Sequence, residues 1–190
     1  MNVWPACIPP QNSSTSSCAL TLDQSILSVN TEGALDIAGG TIDIRNNFIV
    51  KNGNPMLKKT GNVAIAPGVT GSFVFNTVAY NEAKQNGTPG VRCDSAVATE
   101  GNLITDNFGG GAQVLVKNGC DFSGSYTLPG DGNNDVGWAS VETLDFHLTD
   151  ASSLAIDRVA TCGTTDDIDG QMRPAAGGGC DFGADEHHSP

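Results

Sequence analysis

The feature that most constrains the fold is a short apolar segment ending in asparagine that recurs along the chain. The four copies are SILSVN (25–30), NFIVKN (47–52), NTVAYN (76–81) and NLITDN (102–107), and their starts lie 22, 29 and 26 residues apart. This spacing is about one turn of a coil made of three short strands and three bends. The repeat predicts an all-β chain folded as a right-handed parallel β-helix, a solenoid.

Two further segments, TIDIRN (41–46) and SFVFN (72–76), alternate inward and outward side chains just upstream of a repeat. Two strands of each coil then meet at an asparagine, which tolerates left-handed backbone angles and can bond to a stacked copy of itself. The predicted corner and ladder residues are Asn30, Asn47, Asn52, Asn76, Asn81, Asn102 and Asn107. The alternative is a β-sandwich in which asparagine marks hairpin turns, but two-residue Asn-Gly turns between alternating strands are scarce.

A coil buries its inward side chains only by stacking on its neighbours. The predicted interior rows contain Ile26, Ile42, Ile44, Ile49, Phe73, Phe75, Val78, Leu103 and Ile104. Both ends of a solenoid need covers for their unpaired strand edges. Residues 5–17 and the stretch from Thr161 onward are rich in Pro, Ser, Gly and Thr, and we expect them to be these covers.

The chain of 190 residues is predicted to form one β-helix domain. It divides into an N-terminal cover (1–24), repeat coils (25–118), loop-rich last coils (119–160) and a C-terminal closing segment (161–190). DFHLTDASSLAID at 145–157 has a strand-like pattern. Whether the chain is a fragment of a longer β-helix stays open.

Six well-separated cysteines without a C-x-x-C pair favour disulfides over a zinc site, and hence an oxidising compartment. Fifteen connectivities are possible; pairing of nearest neighbours is our working hypothesis. It gives Cys7–Cys18, Cys93–Cys120 and Cys162–Cys180, which would make the irregular end segments disulfide-stapled. The alternative is that some are buried free thiols of a cytosolic protein.

The acidic balance of the chain limits its partners. Nine basic against 21 acidic residues give a formal net charge of −12, which disfavours nucleic acid and anionic membrane surfaces. No apolar run is long enough for a spanning helix, so membrane insertion is not expected.

The C-terminal part of the sequence resembles a known protein family. DFHL-x5-SLAID, DIDGQMRP and GGGCDFGADE, within residues 145–186, are similar to the closing segment of bacterial choice-of-anchor Q proteins, which are parallel β-helix surface proteins. Leu154 stands where proline is usual and Asp185 where an aromatic ring is usual. A charge in place of that ring suggests that the final turn packs less apolar surface, which puts its burial in doubt. The resemblance implies a secreted or cell-surface location and no activity.

The sequence offers one acidic cluster that could bind calcium. Asp166, Asp167 and Asp169 precede Gly170, but an EF-hand register puts Thr165 and Ala176 where carboxylates are required. A looser oxygen cage of Asp166, Asp167, Asp169 and Asp181 is a hypothesis, weighed against solvated or end-capping roles, and calcium is the only cofactor considered. Asp131 and Asp135 are a weaker candidate pair.

No side chain is assigned a catalytic role. Arg173 is expected to pair with a carboxylate that holds the end segment, and His147 is expected to be a core or edge histidine. The favoured function is an extracellular structural or adhesive module that binds glycans or surface proteins, with self-association through the solenoid ends as an option. The alternative is a carbohydrate-active enzyme, a polysaccharide lyase or glycoside hydrolase, or a fragment of one.

Overall fold

The computed structural model describes residues 18–56, 62–128, 136–152, 154–175 and 178–188. These residues contain no helix. Their fourteen strands are β1 (Ala19–Asp23), β2 (Ile26–Ser28), β3 (Leu35–Ile37), β4 (Thr41–Arg45), β5 (Phe48–Val50), β6 (Val63–Ile65), β7 (Thr70–Val74), β8 (Thr77–Ala79), β9 (Glu82–Gly87), β10 (Val91–Cys93), β11 (Leu103–Thr105), β12 (Phe108–Gly110), β13 (Val114–Val116) and β14 (Tyr126–Thr127).

The strands wind into a parallel β-solenoid of about four turns, as the repeat predicts. Each side of the coil is one parallel sheet: sheet A is β1-β4-β7, sheet B is β2-β5-β8-β11-β14, and sheet C is β3-β6-β10-β13. A two-stranded sheet, β9-β12, adds a fourth side to the later coils. The four Asn-ended repeats form β2, β5, β8 and β11 of sheet B, and the two upstream segments form β4 and β7 of sheet A.

The solenoid interior is aliphatic. Of the nine predicted core residues, Ile42, Ile44, Ile49, Phe73, Val78 and Ile104 lie in it. The prediction is wrong for the other three. Side chains alternate along a strand, so inward Leu27 and Ile104 turn Ile26 and Leu103 outward, and Ile26 is 58% exposed. Phe75 is buried, but it lies at a corner with positive φ and packs outside the interior.

The asparagines form two ladders along the solenoid. In the first, Nδ2 of Asn47 donates to Oδ1 of Asn76 (2.9 Å) and Nδ2 of Asn76 donates to Oδ1 of Asn102 (3.2 Å). In the second, Asn30, Asn52, Asn81 and Asn107 follow one another at 2.9, 3.0 and 2.8 Å. Ser125 ends the first ladder and Gln113 ends the second; each turns its own donor back to a backbone carbonyl.

The residue before each ladder position has a left-handed backbone. At the first corner these residues are Gln24, Asn46, Phe75 and Gly101, and at the second they are Val29, Lys51, Tyr80 and Asp106. For a non-glycine residue this conformation costs about 1–2 kcal/mol. The hydrogen bonds of the adjoining ladder residue offset that cost, because they fix the backbone of each bend to the next coil.

The C-terminal part of the chain, residues 136–188, lies along the outer face of sheet B; we call it the flanking segment. The expectation that residues from Thr161 onward cover an end of the solenoid is therefore wrong. The strand-like interpretation of 145–157 is also wrong, since these residues form turns and one isolated bridge at Asp145. Their apolar side chains pack against sheet B instead of pairing as a strand. The N-terminal cover predicted at 1–24 lies outside the described residues up to position 17, and residues 19–23 form β1, the first strand of sheet A, instead of a cover.

Two predicted disulfides are present. Cys93–Cys120 joins β10 to the chain that follows β13, with Cα atoms 6.1 Å apart, and Cys162–Cys180 lies within the flanking segment, with Cα atoms 5.6 Å apart. The predicted Cys7–Cys18 bridge includes Cys7, which lies outside the described residues. The coils and the flanking segment are thus each cross-linked internally.

Candidate functional site

The flanking segment is held first by apolar packing. Outward side chains of sheet B, among them Phe48 and Leu103, are fully buried beneath it. Phe146 contacts the rings of Phe48, Tyr80 and Trp138 at centroid distances of 6.3, 5.7 and 5.4 Å. Burial of such aromatic side chains contributes about 1.5–3 kcal/mol each, so this layer anchors the segment.

The flanking segment also contacts the first corner row, one residue in each of four coils. The contacts are Gln24 Nε2 donating to the Asp167 carbonyl (2.7 Å), Thr164 Oγ1 donating to Asn46 Oδ1 (3.4 Å), the Arg173 guanidinium over the Phe75 ring (4.9 Å), and the Gly183 amide donating to the Gly101 carbonyl (2.8 Å). The segment therefore spans the coils lengthwise and ties them together.

Arg173 is the centre of a buried ion pair. Its Nη1 lies 3.1 Å from Oε2 of Glu186, and both side chains are almost inaccessible to solvent. The guanidinium also donates to the carbonyls of Asp166, Asp181 and Gly183. Burial lowers the pKa of Arg173 against the opposing pull of Glu186 and nearby aspartates. The expected pairing of Arg173 with a carboxylate is confirmed.

Two of the four predicted calcium ligands accept backbone hydrogen bonds. Asp167, fully buried, accepts from the amides of Asp169, Gln171 and Glu186. Asp181, 1% exposed, accepts from the amides of Asp157 and His187. These carboxylates fix the turns of the flanking segment.

The predicted aspartate cage is not assembled. Asp166 is half-buried, and Asp169 is exposed and points toward His147. Among the described residues, the group whose three candidate ligand atoms lie within 4.8 Å of one another is His147, Asp169 and Asp185. Calcium binding by the four predicted aspartates stays a prediction, and Asp131 and Asp135 lie outside the described residues.

His147 lies at the edge of the flanking segment among three carboxylates. Its Nδ1 is 2.5 Å from Oδ1 of Asp145, and its Nε2 is 3.0 Å from Oδ2 of Asp169, a charge contact without hydrogen-bond alignment. The ring is edge-on to Phe48, with centroids 5.2 Å apart. His147 is 37% exposed, which agrees with the expected edge histidine.

Asp185 is buried, although a charge in place of an aromatic ring had put the burial of the final turn in doubt. It is only 6% exposed, and its Oδ2 accepts the amide of Leu148 at 2.7 Å. The position of Asp185 in the CDFGADE ending was the sequence signal that it is part of the packed C-terminal segment. The replacement of an aromatic residue by a charge argued, wrongly, against its burial. A carboxylate is accommodated there because a backbone donor and His147 face it.

These contacts shift four pKa values. Burial raises the pKa of Asp185 to about 6 and that of Asp181 to about 6, against the hydrogen bonds each accepts from backbone amides. Burial alone would lower the pKa of His147, but the bond to Asp145 and the charges of Asp185 and Asp169 raise it. The hydrogen bond from His147 lowers the pKa of Asp145.

A second candidate surface is the outer face of sheet A. Each of its strands presents three outward side chains, and the parallel register aligns them in three rows that run across the strands. We call these nine residues the sheet A grid. They are Ala19, Thr41 and Thr70, then Thr21, Asp43 and Ser72, then Asp23, Arg45 and Val74. The three threonines are exposed, and the side chains of Asp43 and Arg45 are 43% and 38% exposed. Val74 is the exception: it is 7% exposed and packs with Val159 and Cys180 of the flanking segment.

Comparisons with known proteins give no match to a family model, a curated protein or a solved structure. The described part of the chain includes no helix able to cross a membrane. The two disulfides are compatible with an oxidising environment. The site must therefore be interpreted from its own geometry.

Proposed function

We propose that the protein is an extracellular or cell-surface structural and binding module without catalytic activity. The observation that carries the proposal is the use of the C-terminal charged groups: Arg173, Glu186, Asp167 and Asp181 bond to backbone groups or to one another. Charged side chains engaged in this way hold a fold together. They leave few groups in that region for chemistry on a substrate.

Two further features support a surface location. Disulfides persist in oxidising compartments, and a solenoid tied along its length by a flanking segment suits exposure outside the cell. The resemblance of residues 145–186 to choice-of-anchor Q proteins supports the same location and remains a proposal. Glycans or surface proteins are the proposed partners.

Binding and turnover assays on the intact protein test the proposal. We expect binding on a glycan array or to surface-protein extracts, with no product in reducing-sugar and unsaturated-uronate assays. Turnover that Asp166→Ala or Asp167→Ala abolishes would refute the non-catalytic role.

One observation favours the alternative, a carbohydrate-active enzyme. Asp185 is a buried carboxyl whose pKa is raised to about 6 beside His147, and a carboxyl with a raised pKa is suited to general acid catalysis. If the protein hydrolyses a glycan at this site, the Asp185→Asn variant shows no turnover. The control variant Thr41→Val, on the remote sheet A grid, keeps full activity. If the unmodified protein and the Thr41→Val variant show no turnover, this alternative is rejected.

A further inference from the structure

We propose that the sheet A grid is a binding face for extended, neutral glycan chains. The inference rests on the proposed function and specifies where binding occurs and which ligand class is bound. It follows from the width, chemistry, charge and spacing of this face.

The sides of the solenoid differ in the side chains that they present to solvent. Sheet B is covered by the flanking segment, and its outward residues Phe48 and Leu103 have no exposed surface. The strands of sheet C have three residues, so each presents a single outward side chain, from Asp36 to Leu115. The five-residue strands of sheet A present three each. The fourth side has only the two strands β9 and β12. Sheet A is thus the broadest of the faces that the described residues leave open, and Val74 is the one grid position that is buried.

The grid is polar and pre-organised. Seven of its nine side chains carry hydroxyl, carboxylate or guanidinium groups. Within each row, hydrogen bonds join side chains on neighbouring strands. Thr41 Oγ1 and Thr70 Oγ1 are 3.0 Å apart, Ser72 Oγ donates to Asp43 at 3.2 Å, and Arg45 Nε donates to Asp23 at 2.9 Å. A ligand that binds side chains already held in place loses less entropy on binding.

The charge of the grid favours a neutral ligand. Two carboxylates, Asp23 and Asp43, and one guanidinium, Arg45, supply both acceptors and donors, which sugar hydroxyls can satisfy in either direction. The net charge of −12 on the whole chain opposes the approach of polyuronates and sulfated glycans. The complementary polymer therefore carries hydroxyls and no charge.

The spacing sets the direction in which the chain lies. Adjacent strands of a sheet are about 4.8 Å apart, close to the length of one sugar residue in an extended glycan. A glycan that runs along the solenoid axis would therefore meet one strand per sugar residue. Its successive sugars would contact, for example, Thr21, Asp43 and Ser72, which are in register. The grid carries no aromatic ring, so affinity depends on hydrogen bonds and on repeated contacts along a polymer.

The test compares the intact protein with two variants of the grid and one matched control. Isothermal titration with neutral β-glucan and galactan oligosaccharides, and with polygalacturonate, is done on unmodified protein, Asp43→Ala, the double variant Thr41→Val/Thr70→Val, and Asp36→Ala on sheet C. We expect a loss of neutral-glycan affinity of about tenfold or more in both grid variants. Asp36→Ala should bind as the unmodified protein does, and all should melt at similar temperatures.

The outcomes separate this inference from the proposed function. Neutral-glycan binding that the grid variants leave unchanged would overturn the inference and leave the binding module intact. Preference for polygalacturonate, or binding of a surface protein and no glycan, would also overturn the inference alone. Release of sugar products would overturn the proposed function, whichever face binds.

Discussion

The side chain of Asn76 bonds to its own coil and to both neighbouring coils. Nδ2 of Asn76 donates to the carbonyls of Ile44 and Val74 and to Asn102, while its Oδ1 accepts from Asn47. Asn76 has no exposed surface, so water cannot replace these bonds. A single amide thus satisfies several buried groups at a bend where the backbone is left-handed.

Replacing Asn76 by alanine should therefore be costly. We expect Asn76→Ala to lower the free energy of unfolding by about 2–4 kcal/mol, since several buried partners lose a hydrogen bond. Asn30→Ala, at the half-buried first rung of the other ladder, should lose about 1 kcal/mol or less. Urea unfolding of the three proteins measures both values. Equal losses at the two positions would contradict the role assigned to the buried ladder.

Arg173 provides a second prediction. Arg173→Met leaves Glu186 buried without its counter-ion, and breaking a buried pair costs about 3–5 kcal/mol. Arg45→Met makes the same change at a half-exposed pair with Asp23 and should cost about 1 kcal/mol or less. Thermal unfolding compares the two. If the Arg173 variant loses no more than the Arg45 variant, the ion pair does not hold the flanking segment.

At the scale of elements, most of the described groups with shifted pKa values lie in the flanking segment: Asp145, His147, Arg173, Asp181 and Asp185. Asp181 and Asp185 have folded pKa values of about 6, above the ordinary 3.8, so the stability they contribute is greatest when they are protonated and falls as pH rises toward 6. The pKa of His147 is also raised, so its contribution is present below its ordinary 6.5 and is lost as pH rises through the folded value.

These shifts predict that the protein becomes less stable from about pH 4 to pH 6, where Asp181 and Asp185 lose their protons, and further as pH rises above 6.5, where His147 loses its proton. Asp145 does not oppose the trend there, because its lowered pKa affects stability only below its ordinary 3.8. Calorimetry across this range should show a falling melting temperature. The slope should be shallower in Asp185→Asn, which cannot titrate at that position. A melting temperature that rises with pH in this range would contradict the prediction.

The elements also show which patterns carried information. Residues such as Ile42 and Ile44 repeat every second position and predicted their strand and its inward face. The three-residue strands carry too few residues for such a period, so Ile26 and Leu103 were assigned to the wrong side. Sheet C was not predicted for a different reason: no asparagine follows β3, β6 or β10, and Asn118 after β13 stands alone in that sheet.

For the whole molecule, the structure consists of two packed layers that share sheet B. Ile49 faces the solenoid interior and Phe48, its neighbour in β5, faces the flanking segment; neither is exposed. The two layers are cross-linked separately, since neither described disulfide joins a coil to the flanking segment. We therefore expect the layers to open in sequence.

Hydrogen exchange can distinguish the layers. Phe48→Ala should cost about 3–5 kcal/mol of packing and increase exchange mainly at 146–186, while the sheet A strands stay protected. Ile49→Ala, costing about 2–5 kcal/mol, should increase exchange in the coils themselves. Identical exchange patterns in the two variants would show a single cooperative unit.

The sequence alone determined the solenoid, its asparagine corners, two of the disulfides and the pairing of Arg173 with a carboxylate. All of these depend on residues that repeat or pair at short range, where the period of the chain and the chemistry of one side chain are sufficient. The tertiary structure decided the rest: the flanking segment lies along sheet B, Asp167 and Asp181 bond to amides, and His147 meets Asp169 and Asp185. None of those arrangements has a period along the chain, whether its partners are two residues apart, as Asp167 and Asp169 are, or 22 residues apart, as His147 and Asp169 are. They arise only when the outer face of sheet B becomes a surface that apolar side chains can cover.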